Sequence, residues 1–198
     1  VRQRLVSFWT NHFTMGGFES RELSSHAMEE GILASFDDSF SEMLYKATTH
    51  PAMLMYLDNH ISAGPNSNHV RWARSRNEQA GLNDNLGREL LELHTVSPDV
   101  NYTETDIRNA AKVLAGWGMD VQGNSPQNLL EQAGTINHWD MYKKNWAEPG
   151  SKVVLGKTIY QGKQGLKQLT DFLATHDHTI NHLSFKLAEH FVRDDPQQ

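Results

Sequence analysis

Apolar residues recur three and four positions apart through most of this chain, and that period constrains its fold more than any other feature. Leu5, Phe8, Trp9 and Phe13 fall at helical spacing within residues 2–14, with Gly16-Gly17 as the stop. A second helix is expected at about residues 21–35, its core face poorly defined. Phe36, Phe40, Met43, Leu44 and Ala47 form a clear helical stripe. Pro51 opens another helix at its first position, where a missing N–H costs nothing, with Ala52, Leu54, Met55, Leu57 and Ile61 as its apolar residues. Asn83 to Thr95 is the next. Thr103 and Asp106 have the spacing of a capping box ahead of Ile107, Ala110, Ala111, Leu114 and Trp117, and Gly116 and Gly118 end that helix. Leu166, Leu169, Phe172 and Leu173 mark one further helix, Leu183, Leu187 and Phe191 the last.

Two regions depart from this period. Ser62 to Gly81 is polar, turns at Gly64-Pro65-Asn66, and holds a short helix at about Val70 to Arg76. Met119 to Lys152 has no sustained period; after it Val153-Val154-Leu155 and Thr158-Ile159-Tyr160 flank Gly156-Lys157 as a small hairpin. The expected fold is therefore mainly α, a multi-helix globular bundle with one small β-hairpin. Its expected organisation is a helical core over 1–118, an irregular segment with the hairpin over 119–161, and a C-terminal helix pair over 162–198 packing on the core.

The absence of cysteine among 198 residues excludes disulfides, thiolate metal sites, thiol nucleophiles and iron–sulfur clusters. No stretch approaches the roughly 18 apolar residues of a membrane span. A net charge of −6 speaks against a nucleic-acid partner. The most basic run, Arg71-Trp72-Ala73-Arg74-Ser75-Arg76, is read either as a solvated loop or helix face or as an anion contact. Val1-Arg2-Gln3-Arg4-Leu5 leads straight into a helix, so the chain reads as an excised segment whose targeting signal, if any, lies upstream. Phosphate loop, Gly-x-Ser-x-Gly elbow, dinucleotide fingerprint and calcium loop are all missing.

Three strings carry a family resemblance: Phe8-Trp9-Thr10-Asn11-His12-Phe13; His50-Pro51-Ala52-Met53-Leu54-Met55-Tyr56-Leu57-Asp58-Asn59 followed by Asn83-Asp84-Asn85-Leu86-Gly87-Arg88-Glu89-Leu90-Leu91-Glu92-Leu93-His94-Thr95; and Tyr102-Thr103-Glu104 through Leu114-Ala115-Gly116-Trp117. Together, and in this order, they resemble the bacterial domain-of-unknown-function 1800 family, of whose longer members this chain looks like an internal section. Leu155-Gly156-Lys157, and Lys186-Leu187 with Phe191-Val192-Arg193-Asp194-Asp195-Pro196, resemble its later motifs. The resemblance implies a helical, exported protein (periplasmic or extracellular), with a sulfatase- or phosphatase-like protein encoded nearby as a partner. It lends no activity. Two departures stand out. The family pattern has a His-Asp pair before Leu155-Gly156-Lys157 where this chain has Ala147-Glu148, and Gly87 replaces the alanine usual before the Arg-Glu pair.

On an ideal helix Asn85, Arg88, Glu89 and Glu92 share one narrow face, while Leu86, Leu90 and Leu93 occupy another. Three readings stay open: a site with two carboxylates one turn apart for a cation or acid–base work and Arg88 for an anion, a solvated Arg88–Glu92 pair, or a buried network that sets helix packing. Glu92 and His94 are two apart and cannot share a metal from a regular helix. His12, following Asn11, is either a hydrogen-bonded structural histidine or a ligand; the resemblance pairs Asn11 and His12 with the Arg88/Glu89/Glu92 face. His178 and His182 have zinc-gripping spacing, but Thr179 stands where a metalloprotease base would be. No cofactor is required, and a divalent metal is the one the sequence leaves room for. The leading expectation is an exported accessory or binding protein; the rival is a metal- or carboxylate-dependent hydrolase using His12, Arg88, Glu89 and Glu92.

Overall fold

A computed structural model describes residues 2–14, 31, 35–98, 100–118 and 142–192. Among them the chain forms eight α-helices, one 3₁₀ turn and one two-stranded hairpin. In chain order these are α1 (Arg2–His12), α2 (Phe40–Thr49), α3 (Pro51–Tyr56), the 3₁₀ turn Asn59–Ile61, α4 (Asn68–Ser75), α5 (Asn85–Glu92), α6 (Glu104–Leu114), β1 (Lys152–Val154), β2 (Lys157–Ile159), α7 (Lys163–Ala174) and α8 (Asp177–Phe191). The mainly helical fold with its single hairpin is as expected. The helix expected at 21–35 falls largely outside the described residues, as does most of the aperiodic segment.

The predicted stripes build one core. Leu44, Met53, Leu54, Leu86, Leu90, Ile107, Leu114, Leu166, Leu169 and Leu173 are buried to 1% exposure or less and belong to a single apolar cluster with Phe13 and Trp117. Each such side chain contributes about 1.5–3 kcal/mol by leaving water. Helix α5 lies against α6, α2 against α7, and the hairpin against α6 and α7. Helices α5 and α6 come close at Gly87, where a Cβ would stand 2.7 Å from the Ala111 backbone nitrogen. An alanine at this position would therefore collide with the next helix.

Several helix ends differ from the sequence reading, each for a local reason. Phe36 lies in a turn, because the Ser39 side chain accepts the Glu42 N–H and starts α2 there. Helix α3 stops at Tyr56; Asp58 takes a left-handed conformation (φ 56°) and Ile61, expected in the core, is 56% exposed. Helix α5 is shorter than residues 83–95. Asn83 Oδ1 accepts the Asn85 N–H at 2.9 Å, the Thr95 hydroxyl donates to the Leu90 carbonyl at 2.6 Å, and Ser97 turns away at φ 76°. Leu93 is consequently 51% exposed rather than on the apolar face. Trp117 lies past the end of α6, buried and bridged antiparallel to Tyr142.

The hairpin turns at Leu155-Gly156, one residue earlier than expected, with Lys152 opposite Ile159 and Val154 opposite Lys157. Both turn residues have positive φ (48° and 76°), the geometry of a tight twisted hairpin that leucine adopts only under strain. Asp106 compensates. One carboxylate oxygen accepts from the Thr103 backbone N–H (2.9 Å) and hydroxyl (2.7 Å), completing the capping box, and the other accepts the Leu155 N–H at 2.8 Å.

Candidate functional site

The sequence-predicted polar residues are divided between two places. His12, at the C-terminal end of α1, is buried beneath Phe8, Trp9 and Phe13. Its Nε2 lies 3.1 Å from the His94 carbonyl and its Nδ1 lies 3.0 Å from Lys186 Nζ on α8. A carbonyl only accepts, so Nε2 carries the hydrogen and donates; Nδ1 then holds a lone pair that accepts from the Lys186 ammonium. The imidazole is thus neutral with both nitrogens engaged. Burial first, then the Lys186 charge, with smaller effects of His94 and His182, depresses its pKa to about 2. The same burial and the same lysine hold His94 at about 4. Burial also lowers Lys186 itself, opposed by Glu189. His94 Nδ1, fully enclosed beside Phe13, has no partner among the described residues.

Arg88, Glu89 and Glu92 do lie on one regular helix, and they point elsewhere. Arg88 Nη2 donates to both Glu104 carboxylate oxygens (3.0 and 3.1 Å) and Nη1 reaches Glu92 at 3.4 Å. The side chains of Arg88 and Glu104 are 39% and 61% exposed, that of Glu92 25%. Burial, aided by Glu92, raises the Tyr102 hydroxyl to about 12. Glu89 is raised too, by burial first and then by Glu92, with Arg88 opposing. This network ties α5 to the start of α6. Asn11 and Asn85 are exposed. Among the described residues no hydrogen bond or ion pair joins His12 to Arg88, Glu89 or Glu92.

His178 and His182 sit one turn apart on α8, His178 exposed and His182 half-buried. Among the described residues no group of three or more histidines, aspartates and glutamates is placed to hold a metal. His176 instead caps this helix, its Nδ1 accepting the His178 N–H at 3.3 Å.

Two further polar centres were not singled out as sites by sequence reasoning. Glu148 is 7% exposed, and its carboxylate accepts the Asn66 backbone N–H (2.8 Å) and side-chain amide (2.6 Å). It pins the Gly64-Pro65-Asn66 turn, and Gly64 is required there because any Cβ would stand 2.5 Å from Glu148. The second joins α2 to α7. Ser41 donates to Asp171, and Lys167 pairs with Asp171 and, at 2.9 Å, with Glu42. These acids hold Lys167 above its ordinary pKa, Asp171 first and then Glu42, which favours its ammonium form. The group borders a groove of about 660 Å³ that includes Lys157, Gln164 and Phe172. Only the Lys167–Asp171 spacing was legible in the sequence; the Ser41 contact spans 130 residues.

No helix among the described residues is long and apolar enough to cross a membrane. No curated protein and no solved structure matches the chain. The family model described as "Protein of unknown function (DUF1800)" matches residues 1–198, the whole length, and the chain therefore belongs to that family.

Proposed function

We propose that this chain is a non-enzymatic binding or accessory protein, exported and acting with a partner or a polymeric ligand. The observation that carries this reading is the division of the polar residues a hydrolase would need to assemble. His12 has its Nε2–H on a carbonyl and its Nδ1 on an ammonium, leaving no lone pair for a metal or for taking a proton. Arg88 is already engaged with two carboxylates. The rival hydrolase reading would require these groups around one centre, and the arrangement lends it no support. Export, and a sulfatase- or phosphatase-like partner, rest on the family resemblance alone.

The test combines elemental analysis with a panel of chromogenic phosphate, sulfate, carboxyl-ester and glycoside substrates. The expected result is metal-free protein without turnover, in which Glu89→Ala and Glu92→Ala change melting temperature only. Stoichiometric metal that is lost in either variant, or turnover abolished by His12→Ala, would overturn the reading. Co-elution with a sulfatase- or phosphatase-like protein of the kind the family resemblance implies tests the partner.

A further inference from the structure

The basic run of the sequence folds into α4, and its aromatic residues join a second segment to make a continuous surface. The His69 backbone N–H donates to the Asn145 carbonyl at 2.9 Å, which fixes residues 142–148 against the start of α4. The His69 ring then lies flat on Trp146, centroids 3.8 Å apart and planes 11° from parallel. The Lys143 ammonium stands 4.5 Å from the same tryptophan. One turn along α4, Trp72 follows at 6.0 Å from His69, and the Arg76 guanidinium covers Trp72 at 4.4 Å. Positions 69, 72 and 76 are spaced for one helical face, so the rings of Trp146, His69 and Trp72 form a row with a cation at each end, Lys143 on Trp146 and Arg76 on Trp72.

Two properties mark this surface as more than a solvated helix. Trp72 is 48% exposed, which is unusual for the largest apolar side chain, and nothing in the core uses it. Five of the chain's 18 lysines and arginines fall in residues 69–76 and 143–144, which contain no acid, although the chain as a whole carries −6. Arg71, Arg74, Arg76 and Lys144 are exposed. Arg71 is steadied by donating to the Asn66 carbonyl at 2.7 Å, and therefore through the turn that Glu148 pins.

We propose that this surface, with Trp72 at its centre, Arg76 on it and Lys143 on the neighbouring Trp146, binds one strand of an anionic polysaccharide built of uronic acids; the inference rests on the binding reading above and names its ligand. A pyranose ring presents a flat face of weakly positive C–H groups, which suits the negative face of an exposed tryptophan. A guanidinium stacked on that tryptophan keeps its N–H edge outward, where it meets the sugar's carboxylate in a planar pair. Carboxylates repeated along one strand can meet both cations, Arg76 and Lys143, at the two ends of the aromatic row. A single-stranded nucleic acid fits less well. It needs successive open aromatic faces on which bases stack, whereas Trp146 is already covered by His69 and Lys143, and the chain's net acidity opposes a denser phosphate polymer.

The experiment is a calorimetric or tryptophan-fluorescence titration of the whole chain with a homogeneous oligogalacturonate. The comparators are its fully methyl-esterified form, an oligoglutamate peptide and an oligothymidylate. Oligogalacturonate is expected to bind in a salt-sensitive manner, and its methyl ester much more weakly. Trp72→Ala should weaken binding about tenfold or more, equivalent to about 1.4 kcal/mol. Arg76→Gln and Lys143→Gln should each weaken binding and flatten its salt dependence, with unchanged circular dichroism. Absence of oligogalacturonate binding, or binding untouched by Trp72→Ala, overturns the proposal. So does tighter binding of oligothymidylate or oligoglutamate; if that binding is lost in Trp72→Ala, the general binding reading survives while the glycan does not. Metal-dependent turnover would instead defeat the general reading, whatever the titration gives.

Discussion

Replacing His12 by phenylalanine should change how stability depends on pH as well as its size. In the folded chain His12 is neutral, its pKa depressed to about 2, and His94 is depressed to about 4, each from an ordinary value of 6.5. Unfolding returns both to water, where they bind protons below that ordinary value. The stability they protect is therefore complete above pH 6.5 and is lost as pH falls toward the folded values. Each contributes a slope of about 1.4 kcal/mol per pH unit well below the unfolded value, so between about pH 7 and about pH 5 each costs about 2 kcal/mol and the pair about 4. That is a large share of the 5–15 kcal/mol typical of a domain. The acids held below their usual range, Asp106 and Asp171, act lower: their contribution is present above 3.8 and fades as pH falls through their folded values. Glu89, raised on folding, has the opposite sign and gains as pH falls. The assay is urea unfolding at a series of pH values. His12→Phe should be less stable at neutral pH, because the Lys186 ammonium and the His94 carbonyl lose their partner, and should show about half the wild-type loss on acidification. Equal losses in the two proteins, or a wild type indifferent to pH over this range, would refute the reasoning.

Other perturbations separate the remaining structural claims. Gly87→Ala gains helix propensity worth up to about 1 kcal/mol, yet its methyl meets the Ala111 backbone at 2.7 Å, so a net loss of about 1–2 kcal/mol is expected in thermal melts. Asp106→Ala removes the capping box and the support of the strained Leu155 N–H together, and should cost about 2–4 kcal/mol by denaturant unfolding. Glu148→Ala orphans the Asn66 N–H and should lower stability by about 2–4 kcal/mol, with faster hydrogen exchange confined first to the Gly64–Asn66 turn. Arg88→Met, which breaks only a largely solvated network, should shift stability by less than about 1 kcal/mol.

The helical class, the capping box, the proline-led α3, α4 within a polar excursion and the two final helices were all legible, because amphipathic period and cap chemistry are local. Helix ends were less so. Where α5 stops is decided by the Thr95 hydroxyl returning to Leu90 and by the left-handed Ser97, and where the hairpin turns depends on Asp106, 49 positions away. The polar site was legible in one half only. Spacing placed Arg88, Glu89 and Glu92 on one face of a regular helix, but their partners, Glu104 and Tyr102, belong to the next segment. Nothing local says that His12 will meet Lys186 across 174 positions rather than Arg88. The aromatic surface was half visible as well: the run at 71–76 was evident, whereas Trp146 and Lys143 join it only through tertiary packing.

The separation of His12 from the Arg88 network is tested most directly by the protonation state of one imidazole. Long-range ¹H–¹⁵N spectra of histidine-labelled protein, recorded from neutral pH down to about pH 5, report tautomer and charge for each ring, with His12 assigned by its disappearance in His12→Phe. The prediction is a single neutral ring with hydrogen on Nε2 throughout, unmoved by added zinc. A His12 that titrates near 6.5, or whose signals shift stoichiometrically with zinc, would show an open centre and contradict it.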